Sequence, residues 1–260
     1  MRCSSSPSSW WAPSSDVSRA LFISDLHLSA ERPPSNEQFF RFLRDEAGRA
    51  QALYILGDLF EYWIGDDELE AADGDPLAKR VAAGIRRLSA AGVAVRLMHG
   101  NRDFLIGRRF CEATGAELLD DPALADVGGA RTLLMHGDTL CTDDLDYQNW
   151  RRTARSTEWQ REFLSKTLAE RRETILGLRE KSKAVIQAKP AEIMDVNAEA
   201  VRDAFRRHGV ARLIHGHTHR PARHEIEVDG MRRERWVLPD WYQRGGYLAV
   251  DQVGPRLIRL

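Results

Sequence analysis

Cysteine is scarce in this chain: Cys3, Cys111 and Cys141 are the only three in 260 residues. That count gives no disulfide framework and suits a reducing cytosol. Long apolar runs are missing too. None approaches the ~20 residues needed to span a bilayer, so any membrane attachment is expected to be peripheral. Neither sign of charge is in excess, with 38 Lys or Arg against 39 Asp or Glu and a net charge of -1. Internal repeats are absent. Residues 1–18, Ser-rich with Pro7, Trp10, Trp11 and Pro13, lack the charged start and apolar stretch of a signal peptide. They are expected to form a flexible extension. The remaining 19–260, in a chain of 43% hydrophobic content, can bury one substantial core.

Metal-binding side chains, by contrast, are abundant, and they come in five short pieces. These are Asp25-Leu-His27, Gly57-Asp58, Gly100-Asn101-Arg102-Asp103, His136-Gly137-Asp138 and Gly216-His217-Thr218-His219. Each follows an apolar run that reads as a short buried strand: Ala20–Ile23, Ala52–Leu56, Val93–Met98, Thr132–Met135 and Arg212–Ile214. Helical patterns lie between the runs, at about Asn36–Gly48, Pro76–Ala91 and Asn197–His208. Alternating strands and helices predict an α/β fold with a largely parallel sheet, whose ligands gather beyond the carboxyl ends of the strands. The C-terminal stretch from Arg223 reads as short strands, including Arg235–Leu238 and Tyr247–Val250, expected to complete a second sheet.

Seven residues are candidate ligands: Asp25, His27, Asp58, Asn101, His136, His217 and His219. Oxygen and imidazole donors without thiolate suit Mn²⁺, with Zn²⁺, Fe²⁺ or Co²⁺ as alternatives. Seven are too many for one tetrahedral site with an open position. They suit two metals sharing a carboxylate, the arrangement that clamps a phosphoryl group during hydrolysis. Among the other residues, Asp103 and Asp138 are expected to support the ligands or the turns. His99 and His215 are candidates for orienting ligands, while His208 and His224 have no expected role.

The ordered set D-x-H, G-D, G-N-x-D, H-G-D, G-H-T-H resembles the calcineurin-like metallophosphoesterase superfamily. The resemblance implies a four-layer αββα sandwich, two mixed sheets flanked by helices. It also implies two metals, one held by Asp25, His27, Asp58 and His219 and the other by Asp58, Asn101, His136 and His217. Many members carry histidine directly after the Asn, where it can protonate an alkoxide; here that place is Arg102. Arginine is a poor proton donor but binds phosphate oxygens well. A phosphate leaving group needs no general acid, its second pKa being about 6. Arg102 therefore favours pyrophosphate cleavage, unless it is only a surface residue on a tight turn.

Longer strings narrow the resemblance. Leu53–Asp67, His99–Leu105, Met135–Asp144, Glu192–Asn197 and Ile214–Pro221 are similar to the UDP-2,3-diacylglucosamine hydrolase family, over about Ala20 to Trp241. Membership implies hydrolysis of UDP-2,3-diacylglucosamine at the α-phosphorus, giving UMP and 2,3-diacylglucosamine 1-phosphate (lipid X), in lipid A assembly. It implies two Mn²⁺ per subunit and catalytic roles for Asp58, Asn101, Arg102 and His136. Substrate contacts carry over to Asn101, Arg102, Asp144, Ser182, Lys189 and His217, with Tyr147 a weaker candidate. At Ile186 related sequences often have a polar residue, so that contact does not carry over.

A helical insertion is expected over about 145–195. Residues Arg151 to Lys189 hold 11 Lys or Arg against 5 Asp or Glu. Trp159 with Phe163, and Leu164 with Leu168, are i, i+4 pairs on a basic amphipathic helix. Such an insertion can lie on the anionic cytoplasmic face of the inner membrane as a peripheral contact, or cover a greasy substrate. Otherwise its apolar stripe packs on the sandwich. Three other readings remain: another nucleotide-linked pyrophosphate as substrate, a non-catalytic binding scaffold, and a nucleic-acid phosphodiesterase. Nucleic acid is not the expected partner, and DNA competition at low salt tests it.

Overall fold

Three apolar runs make the centre of the molecule. In a computed structural model that describes residues 19–188, 193–242 and 245–260, and only the backbone of 181–188, strands β1 (Ala20–Ile23), β2 (Ala52–Leu56) and β3 (Ala94–Met98) lie parallel. Strands buried on both faces read as continuous apolar runs, and β2 is buried at every position. Strand β4 (Glu117–Leu119) adds to β3. The expected extension at 1–18 and the expected contact Lys189 lie outside the described residues, as do the side chains of Ser182 and Ile186.

The second sheet contains β5 (Ala123–Val127), β6 (Ala130–Leu134), β7 (Arg212–His215), β8 (Ala222–Val228) and β9 (Met231–Val237), in the order β5-β6-β7-β9-β8. Only β6, β7 and β9 are parallel neighbours; both edges are antiparallel. One expectation needs correcting. Strands β10 (Gly246–Asp251) and β11 (Gly254–Arg259) do not complete this sheet. They extend the first, in the order β11-β10-β1-β2-β3-β4, with Ala20 opposite Val250 in an antiparallel pair.

Alternation along the strands builds the layers. Phe22, Tyr54, Leu56 and Met98 face Leu134, Ile214, Trp236 and Leu238 between the sheets, and the Phe22 and Tyr54 rings stack at 4.6 Å. Leu21, Ile23, Leu53 and Ile55 face the other way, onto Phe39 and Phe42 of α1 (Pro33–Asp45) and Ile85 and Leu88 of α2 (Pro76–Ala90). A short α3 (Arg108–Thr114) adds Phe110 to that layer. On the far side, Leu133 and Leu213 pack on Val201 and Phe205 of α7 (Ala198–His208). The result is the four-layer αββα sandwich.

The insertion between β6 and β7 is helical, made of α4 (Leu145–Ala154), α5 (Thr157–Leu164) and α6 (Leu168–Ala188). The pairing of Leu164 with Leu168 on one helix fails, because α5 ends at Leu164. Thr167 and Glu170 start a new helix as a reciprocal cap, the Thr167 N–H donating to Glu170 Oε2 at 2.8 Å and the Glu170 N–H to Thr167 Oγ1 at 3.3 Å. Trp159 and Phe163 do stack, at 5.0 Å, and Phe163 is buried in the same core cluster as the apolar residues of α1 and α2. Part of the apolar stripe therefore packs on the sandwich. The insertion is fastened at two places. Gln148 and Arg151 of α4 bond the 138–141 turn, whereas Arg171 and Arg172 of α6 bond Ile64, Asp67 and Glu68.

Candidate metal centre

The ligand pieces sit where the strands stop, and the chain turns there through unusual backbone. Asp25, His27, Asp58, His217 and His219 all have positive φ, between 49° and 67°. L-residues reach that region at a cost, and such strain clusters at functional sites. Close approach of the turns requires glycine: a Cβ on Gly100 would overlap the Asp58 carboxylate and main-chain nitrogen, and one on Gly216 the side chains of Ser24 and Asp25.

These turns bring all seven expected ligands together. Asp58 is central. Its Oδ2 lies 3.7 Å from His27 Nε2 and 3.8 Å from His136 Nε2, while its Oδ1 accepts the Arg102 N–H at 2.8 Å. Asp25 Oδ1 lies 3.3 Å from His219 Nε2, and its Oδ2 accepts from Ser24 Oγ at 2.6 Å and the His217 N–H at 2.9 Å. Asn101 Oδ1 lies 3.1 Å from His136 Nε2 and 3.0 Å from His217 Nδ1. His136 Nδ1 is 2.9 Å from the Leu56 carbonyl, its acceptor, which leaves Nε2 free to face Asp58 and Asn101. Two subsets have donor atoms mutually within 4.8 Å: Asp25, His27 and His219, and Asp25, Asp58 and His136.

The donor set fits divalent cations. Asp25 Oδ1 is buried with no hydrogen-bond partner, and His27 Nε2 faces His219 Nε2 at 3.4 Å. Lone pairs converging in this way, with oxygen and imidazole but no thiolate, suit a shared positive charge. Electrostatics agree. Burial pushes the Asp58 carboxyl up to about 7, with Asp103 and Asp25 adding to the effect. Burial also acts to raise Asp25, but His219 and the other imidazoles hold it below the usual carboxylate range. Burial keeps His27 well below its ordinary value and His217 at about 4, so both are neutral, the form that binds metals. His136 resists burial and rises to about 9 through Asp58, Asp138 and Asp25.

Supporting residues divide. Asp103 accepts from the main-chain N–H groups of Asp58, Leu59 and Gly100, which locks two ligand turns together. Asp138 is more than a turn residue. It is fully buried and accepts from Tyr147 Oη at 2.6 Å and Arg151 Nε at 2.7 Å, which anchors α4 beside His136. Tyr147 thus has its hydroxyl engaged, and its ring lies 5.8 Å from that of His217. Asp144 caps α4 through the Tyr147 N–H and lines the adjoining cleft. His99 has its Nε2 2.6 Å from the Ile106 carbonyl, in the loop that follows Asn101. His215 lies against the Gly216 carbonyl and Arg235, bracing the turn that carries His217. Tyr242 was not singled out from the sequence, yet its ring lies 5.0 Å from that of His27 and 5.2 Å from that of His219. No local pattern marks it, since Pro239 and Asp240 separate it from the apolar run that ends at Leu238.

Beside the candidate ligands lies a cleft of about 540 Å³. His27, Asp58, Asn101, Arg102, His217 and His219 line one part; Trp63, Phe104, Trp150, Trp159, Ile175 and Leu178 line another. Among the described residues, no helix is long and apolar enough to cross a membrane.

Comparison with known proteins gives a consistent result. Residues 18–221 match the family model for calcineurin-like phosphoesterases. A UDP-2,3-diacylglucosamine hydrolase from Aromatoleum aromaticum is 50% identical over 91% of this chain and 94% of the relative. Proteins of the same name from Cellvibrio japonicus and Pseudomonas aeruginosa are 47% and 48% identical, over 90% and 91% of this chain and 95% and 96% of the relatives.

Proposed function

The chain belongs to the calcineurin-like phosphoesterases and, within them, to the UDP-2,3-diacylglucosamine hydrolase family, and from that premise we propose that it hydrolyses UDP-2,3-diacylglucosamine. Water attacks the α-phosphorus, and the products are UMP and 2,3-diacylglucosamine 1-phosphate. The observation that carries this reading is the cleft itself, in which polar metal donors share one cavity with indole, phenyl and aliphatic side chains. A pyrophosphate bearing two acyl chains has those same two characters.

In this reading Asp25, His27, Asp58 and His219 hold one cation, and Asp58, Asn101, His136 and His217 the other, with Mn²⁺ preferred. When bound, the pair neutralises phosphoryl oxygens and makes water acidic enough to attack. Arg102 binds the departing phosphate. Its backbone N–H is fixed on Asp58, and its Nε is buried without a hydrogen-bond partner, which favours an anion as its target. Asp144, Ser182 and Lys189 contact the sugar phosphate. Arg102→Ala is expected to retain both metals and lower turnover by about 100-fold, the scale for losing one preorganised donor. Metal counting beside kcat checks this, and metal loss in the variant would refute the assigned role.

The insertion also carries Leu145, Trp150, Leu164 and Leu176 exposed, at 70%, 40%, 38% and 47%. Together with its basic excess, these favour peripheral contact with the cytoplasmic face of the inner membrane. Phosphorus NMR of products formed in ¹⁸O-water tests the reaction. Label is expected in UMP, with the lipid phosphate unlabelled. Cleavage of soluble nucleotide pyrophosphates alone would keep the metal centre and overturn the lipid substrate.

A further inference from the structure

We propose that Glu61 is a positioning residue for His27 and that Arg179 of α6 holds Glu61 to this task; the proposal rests on His27 being a metal ligand. Beyond the ends of β1 and β2 the two chains stay paired. The His27 N–H donates to the Asp58 carbonyl at 2.9 Å, Leu28 N–H to Leu59 at 3.0 Å, and Glu61 N–H to Leu28 at 3.1 Å. This pairing carries Glu61 alongside His27. The side chain is only 7% exposed, and a carboxylate so buried needs partners. Its Oε1 accepts from Arg179 at 3.0 Å, and its Oε2 stands 3.5 Å from His27 Nδ1, near it but not hydrogen-bonded.

Comparison of His27 with His136 shows why the second contact matters. His136 has its Nδ1 satisfied by the Leu56 carbonyl, so main chain fixes the ring. The Nδ1 of His27 is buried with no hydrogen-bond partner, although its Nε2 faces Asp58 and His219. A metal-bound histidine needs an acceptor for its other nitrogen, and a carboxylate is a common one. Glu61 is the carboxylate placed to serve, while Tyr242 stacks on the ring. Arg179 belongs to the insertion, lines the cleft, and lies over the Tyr62 ring at 5.3 Å. One carboxylate thus joins a metal ligand to a cap helix. If Glu61 were only a counter-ion for Arg179, its loss would alter cap stability and leave metal affinity untouched.

Mn²⁺ titration calorimetry of the full chain separates the two. Wild type is expected to bind two equivalents and His27→Ala one. Glu61→Ala should weaken that same equivalent by about 10–100-fold, the usual scale for residues behind a ligand. Glu61→Gln, which keeps an acceptor, should fall in between, and it decides the matter should the alanine variant not fold. Arg179→Ala should weaken the same equivalent less, and the double variant should match Glu61→Ala, since Arg179 acts through Glu61. Wild-type affinity in both Glu61 variants, with His27→Ala still losing an equivalent, would overturn the proposal and leave the metal reading intact. Two full equivalents in His27→Ala would overturn the metal reading instead.

Discussion

An Asp58→Asn enzyme is expected to lose turnover by about 10³-fold or more and to weaken both Mn²⁺ equivalents. The size follows from losing an electrostatic element at the reacting centre, for which a single group commonly accounts for 10²–10³. Here the same group also organises two imidazoles. Asp58 Oδ2 stands almost equally far from His27 Nε2 and His136 Nε2, at 3.7 and 3.8 Å. Removing the negative charge therefore affects both halves, whereas His136→Ala should nearly abolish turnover while weakening one equivalent. Titration calorimetry with product assay distinguishes the two cases. Retention of one full-affinity equivalent in Asp58→Asn would show that the carboxylate serves a single metal.

The second large effect comes from a residue with no side chain. Gly100→Ala is expected to lower stability by about 2–3 kcal/mol, as for overpacked interiors, and so to lower Tm by roughly 5–10 °C. Turnover should fall at least about 100-fold, because a shift of about 1 Å in reacting groups has that consequence. The cause is local: the added methyl would collide with the carboxylate and backbone nitrogen of Asp58, and the Asp103 carboxylate that ties Gly100 to Asp58 and Leu59 leaves little room for retreat. Thermal unfolding and kcat measured together check it. Full activity with a lowered Tm would mean that the ligand turns can part without harming the chemistry.

The cluster of candidate ligands was legible in the sequence because each candidate follows the end of a strand. A strand buried on both faces is an uninterrupted apolar run, and the candidate ligand comes just after the residue that breaks it: Ile23 precedes Ser24-Asp25, and Leu56 precedes Gly57-Asp58. Pairing between distant strands left no such mark. Nothing in Tyr247–Val250 says that it joins β1 and not the second sheet, since an apolar run has no local mark of its partner strand. The break between α5 and α6 did have a mark, the Thr167-to-Glu170 cap, but apolar spacing across Leu164 and Leu168 masked it. Glu61, Arg179 and Tyr242 were invisible for another reason. Their roles exist only through partners far along the chain, and a lone Glu, Arg or Tyr has no local pattern to betray it.

The left-handed backbone at Asp25, His27, Asp58, His217 and His219 also decides which changes the protein can survive. A replacement there must tolerate positive φ before its chemistry matters, and β-branched residues do so worst. Asparagine, like aspartate and histidine, enters that region readily. For the two acidic positions, the neighbour that spares the fold is therefore the one that removes the charge. Drift at Asp25 or Asp58 would leave a folded protein without its reaction, so chains of this architecture are poised to become inert scaffolds by a single conservative step.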